Sequence, residues 1–291
     1  MSKESALIDA MRALANHPAA RGLADDCAVL DFGGEVLVLT HDMMVEGVHW
    51  LPGQDMADVA WKLVATNLSD LAAKGAQPVG VLLGFALGQG DERFIAGLSE
   101  ALTAFDVPLL GGDTVSANGP RSLGLTALGR ATHHPAPSRS GASAGDGLWI
   151  TGPVGAAMLG FEALRDNTGQ DSTAFRRPIP RLAEGRALAP LATAMMDVSD
   201  GLLIDAARMA RASGMTLAID SSAVPLPPAL PAHRHDEAMR WGDDYELLFT
   251  LPAGIAPPIA AFQIGTTLRA TPSPVIVDGA VPHGKLGYTH D

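Results

Sequence analysis

Aspartates beside glycine, or at the ends of short apolar runs, are the residues of this 291-residue sequence that could do chemistry. They recur in six motifs, at residues 25–28, 40–42, 67–70, 111–114, 197–201 and 242–246. A carboxylate that follows a strand projects from a rigid base, and a neighbouring glycine lets the backbone approach a ligand closely. Mg²⁺ is usually held by a few such carboxylates together with substrate phosphates. The pattern therefore predicts a site for magnesium and a phosphate.

The same aspartates could instead be turn formers and helix caps, positions that favour Asp in any protein. Asp70, for example, could simply pair with Lys74 one helical turn later. A true cluster has a consequence that turn formers lack, because two like charges about 4 Å apart repel by roughly 4 kcal/mol at an effective dielectric near 20. We therefore expect a metal-free cluster to destabilise the fold or to raise the pKa of some carboxyl groups.

Charge and composition exclude several classes of partner. The net charge of −12 argues against sequence-independent binding to nucleic acid, which needs a surplus of Lys and Arg. The single cysteine, Cys27, excludes an intrachain disulfide and any site built from several thiolates. No apolar run approaches the roughly 20 residues that cross a bilayer, and the first residues lack the apolar core of a signal peptide. We expect a cytoplasmic protein with no membrane partner.

Three familiar nucleotide or hydrolase motifs are absent or misplaced. No lysine follows glycines in the P-loop arrangement, and no glycine-rich fingerprint joins a strand to a helix as dinucleotide binding requires. Residues 141–145 match G-x-S-x-G, but a Pro- and Ser-rich loop precedes them where the nucleophile elbow needs a strand. Residues 233–236 superficially resemble a protein-kinase catalytic loop, but its partner motifs are missing, so these residues are interpreted as a solvated turn. Arg139, in the same loop as 141–145, could bind a phosphate oxygen or lie on the surface.

Alternating helices and strands must position these motifs. Helices are expected near residues 1–16, 55–74, 91–105, 155–165, 180–191 and 202–213. Strands are expected at 28–31, 36–40, 79–87, 107–110, 123–129, 148–151, 194–198, 216–219 and 245–251. The strand at 79–87 is expected to be buried, Ile95 to face the core, and 166–177 to form a polar loop. Residues 133–147 give the best boundary between two α/β domains, at 1–135 and 136–291; the strand order stays open.

The order and spacing of the six motifs, with residues 139–141, resemble the thiamine-monophosphate kinase family of the aminoimidazole ribonucleotide synthetase superfamily. The resemblance runs from about residue 21 to 251, with a further short match at 287–288. It implies a fold of class α/β (α+β) with two α/β domains. The amino-terminal strands of two subunits would form a barrel across a homodimer. It also implies ATP-dependent phosphorylation of thiamine monophosphate to thiamine diphosphate, assisted by several Mg²⁺ ions.

The resemblance implies a role for each matching residue. The implied metal ligands are Asp26, Thr40, His41, Asp42, Asp70, Asp113, Asp197 and Asp200. The implied catalytic residues are Asp42, Asp113 and Asp197. The implied ATP contacts are Gly112, Asp113, Arg139 and Ser199. The implied contacts to thiamine monophosphate are His49, Asp243 and Tyr288.

Residues 23–24 differ from the family pattern, and two further departures affect predicted contacts. His41 stands where a hydroxyl residue is usual, so a metal contact is lost there or becomes a nitrogen. Asp243 stands where glutamate is usual, so its side chain is one methylene shorter.

Because the acceptor is itself a phosphate, we expect direct in-line transfer without a phosphoenzyme.

Other functions stay open at this point. The purine-synthesis enzyme of the superfamily shares several motifs. Selenophosphate synthetase and the hydrogenase-maturation dehydratase rely on a reactive cysteine near a terminus, whereas Cys27 lies inside an aspartate motif. A catalytically silent protein that binds Mg²⁺ and nucleotide, and a purely structural dimer module, are the alternatives from other classes.

Overall fold

The computed structural model describes residues 3–290, which form two mixed β-sheets flanked by helices. Met1, Ser2 and Asp291, at the limits of the predicted domains, lie outside the described residues. The α-helices are α1 (Lys3–Arg12), α2 (Met56–Ala73), α3 (Asp91–Ala104), α4 (Ala156–Arg165), α5 (Thr173–Arg176), α6 (Leu182–Leu188), α7 (Leu202–Ser213) and α8 (His235–Arg240). The strands are β1 (Ala28–Phe32), β2 (Glu35–Val45), β3 (Ala76–Ala86), β4 (Leu109–Val115), β5 (Ser122–Ala131), β6 (Gly147–Ile150), β7 (Ala194–Asp197), β8 (Met215–Ile219), β9 (Leu247–Leu251), β10 (Phe262–Arg269) and β11 (Val275–Val277).

The first sheet has the strand order β1-β2-β5-β3-β4. Strands β1 and β2 form the hairpin predicted around Gly33 and Gly34, both of which have positive φ. Strand β5 pairs antiparallel with β2 and β3, and β3 pairs parallel with β4 across the connection made by α3. Helix α2 covers one face of this sheet, begins at the N-cap Asp55, and buries Leu63 and Leu68 completely.

The opposite face of the first sheet is exposed. Val79 and Leu82 are 42% and 40% exposed, so the prediction of a buried strand at 79–87 is wrong, because helices cover only one face of β3. The edge strand β4 is exposed along its whole length. Ile95 is also exposed, since it lies on the outer side of α3 while Phe94 packs into the core. Burial of Ile95 was therefore predicted wrongly.

The second sheet has the strand order β11-β8-β10-β6-β9-β7 and packs against α7. Its strands β10 and β11 were not predicted. The stretch predicted as a polar loop, 166–177, contains the short helix α5, whose Phe175 is buried. Residues 233–236, predicted as a turn, enter helix α8.

Helix α2 joins the two halves of the fold. It contacts β2, β3 and β5 of the first sheet, and also α6 and β7 of the second half. At its carboxyl end Gly75 has φ +58°, and a Cβ there would lie 2.4 Å from the Cβ of Ala189, so a larger residue is excluded. The predicted linker contains neither helix nor strand between β5 and β6. Within residues 3–290, none of the helices combines the length and apolar character that crossing a bilayer demands.

Candidate active site

Three aspartates from distant parts of the chain meet between the two sheets. One carboxylate oxygen each from Asp26, Asp70 and Asp197 lies within 4.8 Å of the other two. Asp26 precedes β1, Asp70 lies in the last turns of α2, and Asp197 is the last residue of β7. We call these three residues the acidic group. Both halves of the chain contribute to it, as the clustering hypothesis requires.

Neighbouring hydroxyl and amide groups orient the carboxylates. The hydroxyl of Thr40 donates a hydrogen bond to Asp70, and that of Ser69 donates to Asp197 at 2.6 Å. The backbone N–H of Asp42 donates to the side-chain oxygen of Asn67 at 2.9 Å. Asp42 and Thr40 are two residues apart on β2, so they face the same side of the sheet. Helix α2 thus supplies one polar residue to each of these contacts.

The electrostatic cost of gathering these carboxylates appears in their pKa values. Burial, with the like charges of Asp200 and Asp26, raises the pKa of Asp42 to about 6. Burial and the charge of Asp26 raise the pKa of Asp197 to about 7. The pKa of Asp70 is raised well above its ordinary value by burial and by Asp42. The raised pKa values expected for a metal-free cluster are therefore present.

Two cations reach into the acidic group. The ammonium of Lys74 lies 2.5 Å from Oδ2 of Asp26 and also contacts Asp25, and the guanidinium of Arg139 contacts Oδ1 of Asp26. Lys74 thus pairs with Asp25 and Asp26, whereas Asp70, its alternative partner within the helix, accepts from Thr40. These cations were not assigned to the group from the sequence.

The acidic group fits a hard divalent cation such as Mg²⁺. Every donor that it offers is an oxygen, which is the ligand type that Mg²⁺ prefers. Within the described residues, neither carboxylate oxygen of Asp26 accepts a hydrogen bond in favourable geometry, although both are buried and touched by cations. A buried carboxylate with free lone pairs is available to coordinate an ion.

A cavity of about 560 Å³ lies beside Asp42. Its lining includes predicted site residues from both halves of the chain: Asp42, His49, Ser199, Asp200, Asp243 and Tyr288. Aromatic rings from Phe161, Phe175 and Trp241 form part of the same wall. A lining that combines polar groups with aromatic rings suits a ligand that has both a phosphate and a flat ring.

Asp243 is held in the cavity wall by two donors. The ammonium of Lys62 lies 2.9 Å from its Oδ2, and the hydroxyl of Tyr245 donates to its Oδ1 at 2.8 Å. Lys62 is buried and also donates to the carbonyl of His49 at 3.1 Å. The imidazole Nδ1 of His49 accepts from the backbone of Val45, and burial lowers the pKa of this histidine. Lys62 therefore anchors two of the predicted contacts to thiamine monophosphate.

Asp200 is positioned by a buried neighbour. The carboxylate of Asp205 accepts the N–H groups of Asp200 and Gly201 at 3.0 and 3.2 Å. Arg208 bridges the two acids, at 2.5 Å from Asp200 and 2.7 Å from Asp205. The backbone N–H of Tyr288 donates to the carbonyl of Asp200 at 3.0 Å, which holds the end of the described chain against the cavity.

Three predicted residues lie away from the acidic group. His41 is exposed on the face of β2 opposite to Thr40 and Asp42, with Nδ1 2.8 Å from the hydroxyl of Thr126. Gly112 and Asp113 lie on the exposed strand β4.

The pairing register separates Gly112 from Asp42. Asp42 lies opposite Leu125, Leu125 opposite Leu83, and Leu83 opposite Gly112. Three strand spacings of about 4.8 Å put Gly112 about 14 Å from Asp42 along the sheet. A Cβ at Gly112 would lie 1.9 Å from the carbonyl oxygen of Leu83, so this position requires glycine.

Several residues that shape the site were missed in the sequence. They are Lys62, Asn67, Ser69, Lys74, Asp205 and Arg208. The two lysines carried a usable signal, because they lie on or directly after a helix whose residues are almost all buried. A lysine in such a place is rarely buried without a carboxylate partner. The identity of each partner could be read only from the fold.

Comparisons with known proteins show which family the chain resembles. The family description "AIR synthase related protein, N-terminal domain" matches residues 24–131, and "AIR synthase related protein, C-terminal domain" matches residues 143–256. The thiamine-monophosphate kinase of Salmonella typhimurium is 38% identical over 249 residues, which are 79% of this chain and 76% of that protein. The one from Caulobacter vibrioides is 40% identical over 250 residues, covering 79% and 71%.

A solved structure of AaThiL complexed with AMPPCP and TMP has the same fold. Its TM-score to this chain is 0.88 at 27% sequence identity, and the match covers 97% of this chain and 96% of that one. The two matched family domains cover most of each half of the chain. The chain therefore belongs to the thiamine-monophosphate kinase family.

Proposed function

We propose that this chain transfers the terminal phosphoryl group of ATP to thiamine monophosphate and so forms thiamine diphosphate. The observation that carries the proposal is the position of Asp42, which borders the cavity and interacts electrostatically with Asp70 and Asp26 of the acidic group. Family membership supports the same reaction, as does the complex of AaThiL with AMPPCP, an analogue of ATP.

The acidic group and its neighbours would hold the metal ions. We assign this role to Asp26, Thr40, Asp42, Asp70 and Asp197, with Asp200 at a further ion. Bound Mg²⁺ offsets the negative charge of phosphoryl oxygens. Metal coordination by His41 stays a prediction. Its ring lies on the face of β2 opposite to Thr40 and Asp42.

Residues around the cavity would bind the two substrates. Arg139 and Ser199 would contact ATP, and Arg139 would exchange its contact with Asp26 for one with a phosphate. His49, Asp243 and Tyr288 would face thiamine monophosphate, because they line the cavity together. Lys62 keeps the Asp243 carboxylate in the wall, where it can accept a hydrogen bond from the ring system of the substrate.

Direct transfer between the two bound substrates is the mechanism that this arrangement favours. The acceptor phosphate is already anionic near neutral pH, so no strong general base is needed. The residues of the chain act by aligning the two phosphates and excluding water. Acid quenching after incubation with radiolabelled ATP should leave no label on the protein; a labelled protein would contradict this mechanism.

A homodimer would complete the arrangement. The exposed strand β4 and the exposed side chains of Leu82, Leu109 and Leu110 offer an unpaired edge and an apolar face to a second copy. A barrel across this dimer would bring Gly112 and Asp113 of one subunit to the site of the other.

The proposed domains are residues 1–135 and 136–291, with their boundary in the loop between β5 and β6. A cytoplasmic location stays a prediction.

The activity assay is incubation with ATP, Mg²⁺ and thiamine monophosphate, with thiamine as the control acceptor. We expect thiamine diphosphate and ADP only when the monophosphate is present. Nucleotide binding without turnover would instead support a catalytically silent protein. Absence of metal-dependent nucleotide binding would support a structural module and would overturn the proposal.

A further inference from the structure

We propose that Lys74 is a permanent cation of the acidic group, where its ammonium supplies positive charge that a divalent ion would otherwise provide. The inference rests on the metal site of the proposed function. It assigns to Lys74 a positioning role: the lysine stabilises the metal-free arrangement of Asp25 and Asp26, and it lowers the affinity of the group for divalent cations.

Burial fixes the position of Lys74. Its side chain is 0% exposed and follows directly after α2, whose last turns also carry Asp70. The ammonium contacts Asp25 and Asp26, and it lies 3.4 Å from the carbonyl oxygen of Met195 on β7. Because these partners come from both halves of the chain, the ammonium cannot leave without breaking the packing around α2.

Arg139, the second cation on Asp26, differs from Lys74 in being accessible. Its side chain is 18% exposed and lies in the loop between β5 and β6. An arginine at the rim of a site can move to a phosphate, whereas a sealed lysine cannot. The acidic group therefore has one exchangeable cation and one permanent cation.

The charges give the proposal its consequence. Asp26, Asp70 and Asp197 lie close together, so removing either cation leaves more of their mutual repulsion uncompensated in the metal-free protein. Lys74 also repels any divalent ion that coordinates Asp26, since both cations share that carboxylate. Loss of the lysine charge should therefore weaken the metal-free fold and strengthen metal binding. If the lysine served only as structural support, its loss would weaken both the metal-free fold and metal binding.

The test is a calorimetric titration of the Lys74→Met variant with Mn²⁺ in the absence of nucleotide. We expect the variant to bind Mn²⁺ at least about tenfold more tightly than the wild-type chain. Its thermal midpoint in EDTA should be lower than that of the wild-type chain, and Mn²⁺ should restore it. Lys74→Gln, which keeps a hydrogen-bond donor without the charge, should show the same tightening and serves if Lys74→Met does not fold.

Lys62→Met is the matched control. Lys62 is a lysine buried to the same degree, within α2 itself, but its carboxylate partner is Asp243 in the cavity wall. This variant should lose thermal stability while its affinity for Mn²⁺ stays within about twofold of the wild-type value. Unchanged or weaker Mn²⁺ binding by both Lys74 variants would overturn the inference. If the wild-type chain bound no Mn²⁺, the metal site of the proposed function would fail, and the inference with it.

Discussion

The buried ammonium of Lys62 lies 2.9 Å from Oδ2 of Asp243, although the two residues are 181 positions apart in the chain. A residue of helix α2 thus fixes a carboxylate that a loop of the second half presents to the cavity. The same ammonium lies 3.8 Å from the ring centroid of Phe175, which lines the cavity as well. The shape of the proposed thiamine site therefore depends on a side chain outside the cavity.

Replacing Lys62 by methionine should impair binding of thiamine monophosphate selectively. Methionine preserves the length of the side chain, but Asp243 loses a charged partner, and hydrogen bonds to charged groups contribute enough to change binding by about tenfold or more. We expect the KM for thiamine monophosphate to rise by that factor, while the KM for ATP changes by less than about twofold. Steady-state kinetics with each substrate varied in turn measures both constants.

Tyr245→Phe is the control for this change. It removes the neutral donor to Asp243 and keeps the ion pair with Lys62. A smaller effect, of about two- to fivefold on the same KM, is expected. Equal rises in both KM values for Lys62→Met would show that the lysine supports the fold rather than the substrate site.

Asp42→Asn should abolish turnover without harming the metal-free fold. The substitution preserves size and removes one charge from a region in which burial and like charges already raise the pKa of Asp42 to about 6. We expect kcat to fall at least about 100-fold, with an unchanged or higher thermal midpoint in EDTA. Loss of folding with full specific activity of the remaining protein would argue against a metal-binding role.

The metal-free protein should lose stability as pH rises from about 4 to about 7. Burial raises the folded-state pKa of Asp42 to about 6 and that of Asp197 to about 7, both above the ordinary value of 3.8. The folded state therefore binds these protons more tightly than the unfolded state does, and their contribution to stability is complete below pH 4 and lost as each group ionises.

Thermal unfolding in EDTA across this pH range measures the effect. A fall in the midpoint of about 5 °C is expected. Added Mn²⁺ should reverse the trend, because ionised carboxylates bind the metal and its stabilisation grows with pH. A midpoint in EDTA that rises steadily from pH 4 to 7 would contradict the assignment.

Mixed dimers can locate the site to which Asp113 belongs. If Asp113 completes the site of the partner subunit, a dimer of one Asp42→Asn chain and one Asp113→Asn chain contains one site with both changes and one with neither. Random pairing of these two inactive variants should then restore about a quarter of the wild-type activity. Co-expression with two different tags, followed by kinase assays, provides the measurement.

Pairing of Asp42→Asn with Asp197→Asn is the matched control. Both residues lie at the site of a single chain, so every site in such a dimer keeps one defect and no activity should return. If the Asp113 pairing also remains inactive, Asp113 does not act across the dimer.

Local chemistry made much of the fold predictable from sequence. The Asp55 cap and the apolar spacing of 55–74 predicted α2, and Gly33 with Gly34 predicted the first hairpin. Burial was less predictable, because an apolar run such as 79–87 has the same composition whether one face or both are covered. Strand β10 was missed because its polar and glycine residues obscure the alternating pattern, and β11 was missed because its three residues are shorter than the runs that indicate a strand. Pairing with β8 stabilises both.

The acidic group was predictable for a physical reason, whereas its surroundings were not. Asp26 and Asp197 adjoin strand ends, where carboxylates commonly serve ligands, so their residue types carried information. The contacts of Lys74 and Lys62 depend on which loops return to α2, and that is a property of topology. The distance between Asp113 and Asp42 depends on strand order, which the sequence left open.

Helix α2 also limits how this protein could be redesigned. It supplies Lys62 toward one proposed substrate, and Ser69 and Asp70 toward the metal end, within a segment of which almost every residue is buried. A replacement there would disturb the contacts to one of the two ligands together with the packing between the two halves of the chain. Efforts to broaden the range of acceptors should therefore leave this helix intact and vary residues that line the cavity, such as Asp243 and Tyr288.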